Sequence, residues 1–251
     1  MQVAERVHLI GSGAFGFDLT DAYDCHVFLL DGGEELAIID AGAGMGADAI
    51  VENVRQAGFD PARVRHLILT HAHGDHGGGA AKLRDLLDAP AVHLSYVAAP
   101  WLREGNEEAI SLALAKAAGV YPESYTLTPC PIDNELHEGD RIAVGDLSLE
   151  TFDTPGHCDG HISLLVEIGG RRIFFAGDVV FWGGTIFLQN IYDCRLDAQI
   201  DSLRKLRGLA VDTLLPGHQS LSLTNGQSHI EKANQWLDRL LVPPQMIENV
   251  G

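Results

Sequence analysis

The segment Thr70-His71-Ala72-His73-Gly74-Asp75-His76 sets four potential metal ligands within six residues, directly after a strand-like run from Val64 to Leu69. Imidazole nitrogens suit zinc and related transition-metal ions, and a carboxylate among them lets one loop serve two ions. A single His-x-His pair also fits an ordinary loop, whereas His-x-His-x-Asp-His predicts a metal site with further donors downstream. Three more donors follow, each after a short apolar stretch. Leu149 to Phe152 leads into Asp153-Thr154-Pro155-Gly156-His157, Arg172 to Ala176 into Gly177-Asp178, and Thr213 to Leu215 into Pro216-Gly217-His218. A glycine beside each donor permits a tight turn and a close backbone approach.

This ordered set, His-x-His-x-Asp-His followed by a single His, a single Asp and a last His, resembles the metallo-β-lactamase-fold hydrolase superfamily. The resemblance runs from the strand at Leu36 to Asp40 as far as His218. It implies that His71, His73 and His157 hold one ion, that Asp75, His76 and His218 hold the other, and that Asp178 bridges them. Asp40, in Ile38-Ile39-Asp40-Ala41-Gly42, stands where the family has an acidic residue that hydrogen-bonds beneath the metal loop. His161, four residues after His157, is expected to support the site rather than to ligate, and Cys158 occupies a variable position of the motif. The cofactors implied are two Zn²⁺ ions per chain, with Fe or Mn as other occupants. Two such ions sharing a water would lower its pKa from about 15.7 toward roughly 7 and present hydroxide as the nucleophile. Asp75, a ligand, could also take or pass a proton.

The elements that must carry these donors are legible from periodicity. Strands are expected at Val7 to Ile10, His26 to Leu30, Leu36 to Ile39 and Val64 to Leu69, with Asp31-Gly32-Gly33 as a turn. Ile50, Val51 and Val54 recur at helical spacing over 47–57, and Ala80 to Leu87 reads as a second helix. Residues 95–137 break the strand–helix rhythm with a helical pattern from Asn106 to Ala118 and then a Pro- and Thr-rich stretch. This insertion is either packed surface or a wall of the substrate pocket, with Trp101 and Tyr121 as wall candidates. A second antiparallel set is expected at 142–144, 147–152, 162–168 and 172–176, before helices at 197–207 and 228–241. Two sheets with helices outside each follow from that order, and the resemblance makes the arrangement an α/β (α+β) four-layer αββα sandwich. Because the donors run from residue 71 to 218, residues 1–251 are expected to form a single domain.

Composition narrows the partners. Thirty-five Asp and Glu against 17 Lys and Arg give a net charge of −18, which opposes binding to nucleic-acid phosphates. A small-molecule substrate is expected. The start of the chain has no basic region followed by an apolar core and cleavage site, and no membrane segment is expected. Cys25, Cys130, Cys158 and Cys194 form no close pair, so a reducing cytoplasm is the expected compartment. The insertion also offers apolar surface through which two chains could pair as a homodimer.

The expected reaction is hydrolysis of a small carboxylic ester, thioester, lactone or lactam. The alternative that the resemblance leaves open is an iron-dependent redox member such as a persulfide dioxygenase-like enzyme. Gly177-Asp178-Val179-Val180-Phe181-Trp182-Gly183-Gly184 looks like glyoxalase II in its Phe and last Gly, yet Thr185-Ile186-Phe187 stands where that branch has a basic residue. Acyl-homoserine lactonases have a tyrosine three positions after the bridging aspartate, where this chain has Phe181. Phe181, Trp182, Ile186 and Phe187 are expected either to contact an acyl or other apolar group, Phe181 and Trp182 foremost, or to pack in the core.

Overall fold

The computed structural model describes residues 1–247. Seven strands form one sheet in sequential order: β1 (Gln2–Ala4), β2 (Val7–Gly11), β3 (Val27–Asp31), β4 (Leu36–Ile39), β5 (Val64–Ile68), β6 (Ala91–Ser95) and β7 (Asn134–Leu136). The pairings from β1 to β4 are antiparallel, and those from β4 to β7 are parallel. The second sheet holds β8 (Arg141–Val144), β9 (Leu147–Asp153), β10 (Ile162–Ile168), β11 (Arg171–Gly177) and β12 (Thr213–Pro216), with β12 beside β11 in parallel.

Alternation along the strands builds three apolar layers. Leu29, Ile38 and Leu67 face α1 (Ala47–Gln56), whose Ile50, Val51 and Val54 pack against them; α2 (Gly74–Gly77) is a single turn, and α3 (Ala80–Leu86) adds Leu83 to the same layer. Phe28, Leu30, Ile39 and Ile68 turn the other way, toward Leu149, Leu164, Ile173 and Phe175 of the second sheet. Phe174, Leu165 and Leu214 point outward beneath α6 (Leu196–Lys205) and α7 (Gln227–Asp238), which contribute Leu203, Ile230 and Leu237. The four layers are thus helix, sheet, sheet, helix. No helix among the described residues is long and apolar enough to cross a membrane.

The insertion departs from its expected form. It carries two short helices, α4 (Ala99–Glu104) and α5 (Leu112–Ala117), and its last residues already belong to β7. The helix expected from Asn106 to Ala118 is limited to α5. Asn106 Oδ1 accepts from Ala109 N (3.1 Å) and Ser111 sits at φ 54°, so local side-chain bonding and a left-handed residue displace the first turns of that helix. Strands β1, β6 and β7 were not anticipated. β7 is only three residues long and β6 holds His93 and Ser95 on one face, patterns too short or too polar to register as strands.

Candidate metal centre

Every expected donor lies just past the C-terminal end of a strand. His71 and His73 follow β5, with Asp75 and His76 in α2 directly after them; His157 follows β9, Asp178 follows β11, and His218 follows β12. The side chains of all seven converge. His71, His73 and His157 bring one nitrogen each to within 4.8 Å of one another, as do the donor atoms of Asp75, His76 and His218, and Asp178 closes a third such group with His71 and His76. Asp178 Oδ2 lies 3.6 Å from His157 Nε2 and 3.5 Å from His218 Nε2, while Oδ1 lies 3.5 Å from His76 Nε2. It therefore faces both clusters. His218 Nε2 is also 3.1 Å from Asp75 Oδ2.

Hydrogen bonds behind the rings decide which nitrogen of each histidine points inward. Thr70 Oγ1 donates to Asp40, so its lone pair accepts from His71 Nδ1 (3.0 Å) and leaves His71 Nε2 bare. His73 Nε2 donates to Asp193 Oδ2 (2.8 Å), His157 Nδ1 to the Phe187 carbonyl (3.0 Å) and His76 Nδ1 to Asp40 Oδ2 (2.9 Å). The remaining lone pairs, His73 Nδ1 and His157 Nε2, then face each other at 3.0 Å. Two lone pairs at such a separation repel unless a cation lies between them, and zinc ligands about 2.0–2.1 Å from an ion sit on the order of 3.3 Å apart. His71 Nε2 and Asp178 Oδ1 are buried with no hydrogen-bond partner. The donor set fits metal ions.

The electrostatics point the same way. Burial first, and the neighbouring histidines second, hold His71 well below the ordinary imidazole value; burial holds His157 down at about 4 against the pull of Asp178. Both are kept neutral, the form that ligates. Burial alone would raise Asp75 and Asp178, yet His76 and His218 keep both below the usual carboxylate range. His76 behaves in the opposite sense. Burial opposes its charge, but the carboxylates of Asp178, Asp40 and Asp75 around it push it well above the ordinary value. A field that favours a proton there also favours a metal cation.

The supporting residues act on backbone and rings. Asp40, itself at φ 62°, accepts from Thr70 N (2.7 Å), from Thr70 Oγ1 and from His76 Nδ1, tying the start of the metal loop to the end of β4. His161 Nε2 accepts from Asp178 N (2.9 Å), and its Nδ1 donates to Thr154 Oγ1 (2.9 Å), so His161 fixes the backbone under Asp178. A Cβ at Gly217 would collide with Asp178 Oδ1 and His76 Cε1, which explains the glycine before His218. Cys158 lies beside His73 and Asp193, but burial pushes its thiol well up, leaving it a protonated group and a poor ligand.

A cavity of about 440 Å³ opens over the donors. His73, Asp75, His157, Asp178 and His218 border it, and the apolar wall comes from Phe15, Ile110, Val120, Tyr121, Phe187 and Ile191. Phe181 and Trp182, expected as pocket residues, do not line it. Phe181 is fully buried with its ring 6.5 Å from that of His218, and Trp182 packs on His229 (4.5 Å). The reason is the turn at Trp182–Gly184, which is drawn onto α7 by Gly183 N donating to His229 Nδ1 (2.9 Å). Trp101 packs at the margin of the core and is absent from the wall, whereas Tyr121 belongs to it.

Two contacts were not foreseen from the chain. Asp193 holds His73 and accepts from Ser111 Oγ (2.6 Å), and the Tyr121 hydroxyl donates to Asp75 Oδ1 (2.6 Å) while accepting from Asp75 N (3.0 Å). Asp193 and Tyr121 lie on loops 120 and 46 residues from the side chains they hold, and no local spacing marks those contacts. His8, His26, His66, His93, His137 and His229 stand outside the three donor groups.

The profile of the metallo-beta-lactamase superfamily matches residues 20–218. Among curated proteins, the chain is 32% identical over 229 residues to acyl-coenzyme A thioesterase MBLAC2 of Gallus gallus, covering 83% of this chain and 78% of that one. It is 26% identical to a hydroxyacylglutathione hydrolase of Tolumonas auensis, covering 78% of this chain and 62% of that protein. Among solved structures, a metallo-β-lactamase of Cronobacter sakazakii superposes with a TM-score of 0.73 over 96% of both chains at 21% identity, a likeness of fold. With the profile spanning the whole donor set and a 32% identical relative matched over most of its length, the chain belongs to the metallo-β-lactamase superfamily, a family of metal-dependent hydrolases.

Proposed function

We propose that this protein is a dinuclear zinc hydrolase of a small carboxylic ester, thioester, lactone or lactam, with a thioester or ester as the best-supported bond. The observation that carries the reading is the position of Asp178 between two groups of donors whose free nitrogens converge. Similarity to an acyl-coenzyme A thioesterase and to hydroxyacylglutathione hydrolases supports acyl transfer to water.

His71, His73 and His157 would hold one ion, and Asp75, His76 and His218 the other, with Asp178 shared. Two divalent ions there would supply an acidified water and an electrophile for the substrate carbonyl. The protein's own groups do the rest. Asp40, Thr70 and Asp193 fix the rings in the tautomers that face inward. Tyr121 holds the Asp75 carboxylate at the cavity edge, the place from which a proton can be taken or passed. The apolar wall limits bulk water around the reacting carbonyl. In the hydrolysis the acyl–sulfur or acyl–oxygen bond breaks, water oxygen bonds to the acyl carbon, and the leaving thiol or alcohol takes the proton that water gives up.

Turnover of an activated thioester or ester by the metal-loaded protein tests the reading. His71→Ala and Asp178→Ala are each expected to lower kcat/KM by about a thousandfold, roughly 4 kcal/mol of transition-state stabilisation. Unchanged turnover in either variant would reject this site.

A further inference from the structure

The cavity over the donors has a charge asymmetry. Besides Asp75 and Asp178, whose charge the ions would offset, the carboxylate of Asp24 lines it, and no lysine or arginine among the described residues does. The Asp24 carboxylate is already held by Thr20 Oγ1 (2.7 Å), Ala43 N (2.8 Å) and Asp21 N (3.2 Å), so it is a fixed part of the wall. Ser111, one of the few other polar lining groups, donates its hydroxyl to Asp193. Apart from the Gln189 amide and the hydroxyls of Tyr23 and Tyr121, the wall away from the donors is apolar, and the small residues Ala115, Ala118 and Gly119 at the end of α5 leave the space open.

A carboxylate or phosphate carried into the part of this space away from the donors would lose water and find no cationic side chain. The donor cluster at the base is where the scissile carbonyl must lie, so it does not serve a second anion. An alkyl or aryl group instead exchanges water for Phe15, Ile110, Val120 and Phe187. We infer that the cavity is an acyl pocket for an uncharged apolar acyl group, walled by the 95–137 insertion together with the segments at 14–24 and 187–191, and that an acyl group bearing an anion is rejected. Any anionic portion of the substrate belongs to the leaving group and lies outside the pocket. The inference rests on the hydrolase reading for its orientation, but the pocket's selectivity can be measured without turnover.

The probes are the p-nitrophenyl esters of butanoic, hexanoic and octanoic acid and the p-nitrophenyl monoester of octanedioic acid, with the metal-loaded full chain. The expected result is a rise in kcat/KM along the neutral series of up to about fourfold per methylene. The octanedioic monoester should fall at least about tenfold below the octanoate. Ala118 is exposed at the C-terminal end of α5, where a cation suits the helix dipole. Ala118→Lys is expected to raise kcat/KM for the acid ester at least about fivefold while Ala118→Met leaves it low. Equal or faster turnover of the acid ester, or a preference that Ala118→Lys leaves untouched, would overturn the assignment.

Calorimetric binding of octanamide and of the half-amide of octanedioic acid separates this inference from the hydrolase reading. Tighter binding of octanamide, with no ester turned over, would uphold the pocket and remove the hydrolase. Equal or weaker binding of octanamide would overturn the pocket whatever the esters do.

Discussion

An imidazole has two nitrogens, and around this centre the chemistry of the inner one is set by what holds the outer one. Asp40, Asp193, Thr70 and the Phe187 carbonyl each take an outer N–H, so four histidines present lone pairs to a common space. The seven side chains that converge were readable in the chain because glycine-flanked histidines and aspartates followed strand-like runs. Asp193 and Ser111 were not, because a hydrogen bond across 82 residues leaves no local spacing to read. The Asp193 contact predicts that Asp193→Asn weakens retention of the ion held by His73 by about 10–100-fold in chelator competition, with the fold intact. Unchanged affinity would make Asp193 a packing residue only. Tyr121→Phe removes a 2.6 Å hydrogen bond to a half-buried carboxylate. It is expected to cost about 1.5–3 kcal/mol in urea unfolding, and a neutral outcome would mean that water replaces the hydroxyl.

At the level of elements, the donors share one edge because their carrier strands run in one direction. β5 runs parallel to β4, β12 runs parallel to β11, and β9 shares that direction through two antiparallel pairings across β10. Period-two and helical patterns made most of these elements legible, since one buried face per strand leaves a clear alternation. The insertion was less legible because Ser111 and Asn106 replace helix by turn, and because β7 gains its pairing only from β6. Trp182 misled for a similar reason: its contact with His229 on α7 is tertiary. The glycine before His218 is a tighter requirement than its sequence position suggests, and Gly217→Ala is expected to abolish tight metal binding by displacing Asp178 and His76. Wild-type metal affinity in that variant would refute the close approach. Between the sheets, His93 touches His66 Nδ1 (3.1 Å) while His66 Nε2 meets Glu35 (3.3 Å). Burial, then His66, lowers His93 from 6.5 to about 4. Between those values the unfolded chain binds the extra proton, so stability is complete above pH 6.5 and is lost as pH falls toward 4, by roughly 3 kcal/mol. Urea unfolding across that range should show the loss, and His93→Gln should flatten it; an unaltered slope would assign the acid sensitivity elsewhere.

For the whole molecule, a net charge of −18 and a cavity walled by apolar groups and carboxylates act together. Substrates with an anionic leaving group approach against a repulsive field, screened within about 10 Å at 0.1 M salt. Their kcat/KM is expected to rise with added salt while that of a neutral ester stays flat, and a fall with salt would reveal a cationic landing surface. The αββα frame brings loops from both sheets to one edge, which makes the metal centre a property of the complete chain rather than of either half. Its central claim is two ions bridged by Asp178, and the most direct measurement is metal content after loading with zinc and removal of excess ion. About two zinc ions per chain, falling in Asp178→Ala together with turnover, is the expected result; one ion or none per chain at saturation, or a single iron with oxygen consumed on a persulfide, would contradict it.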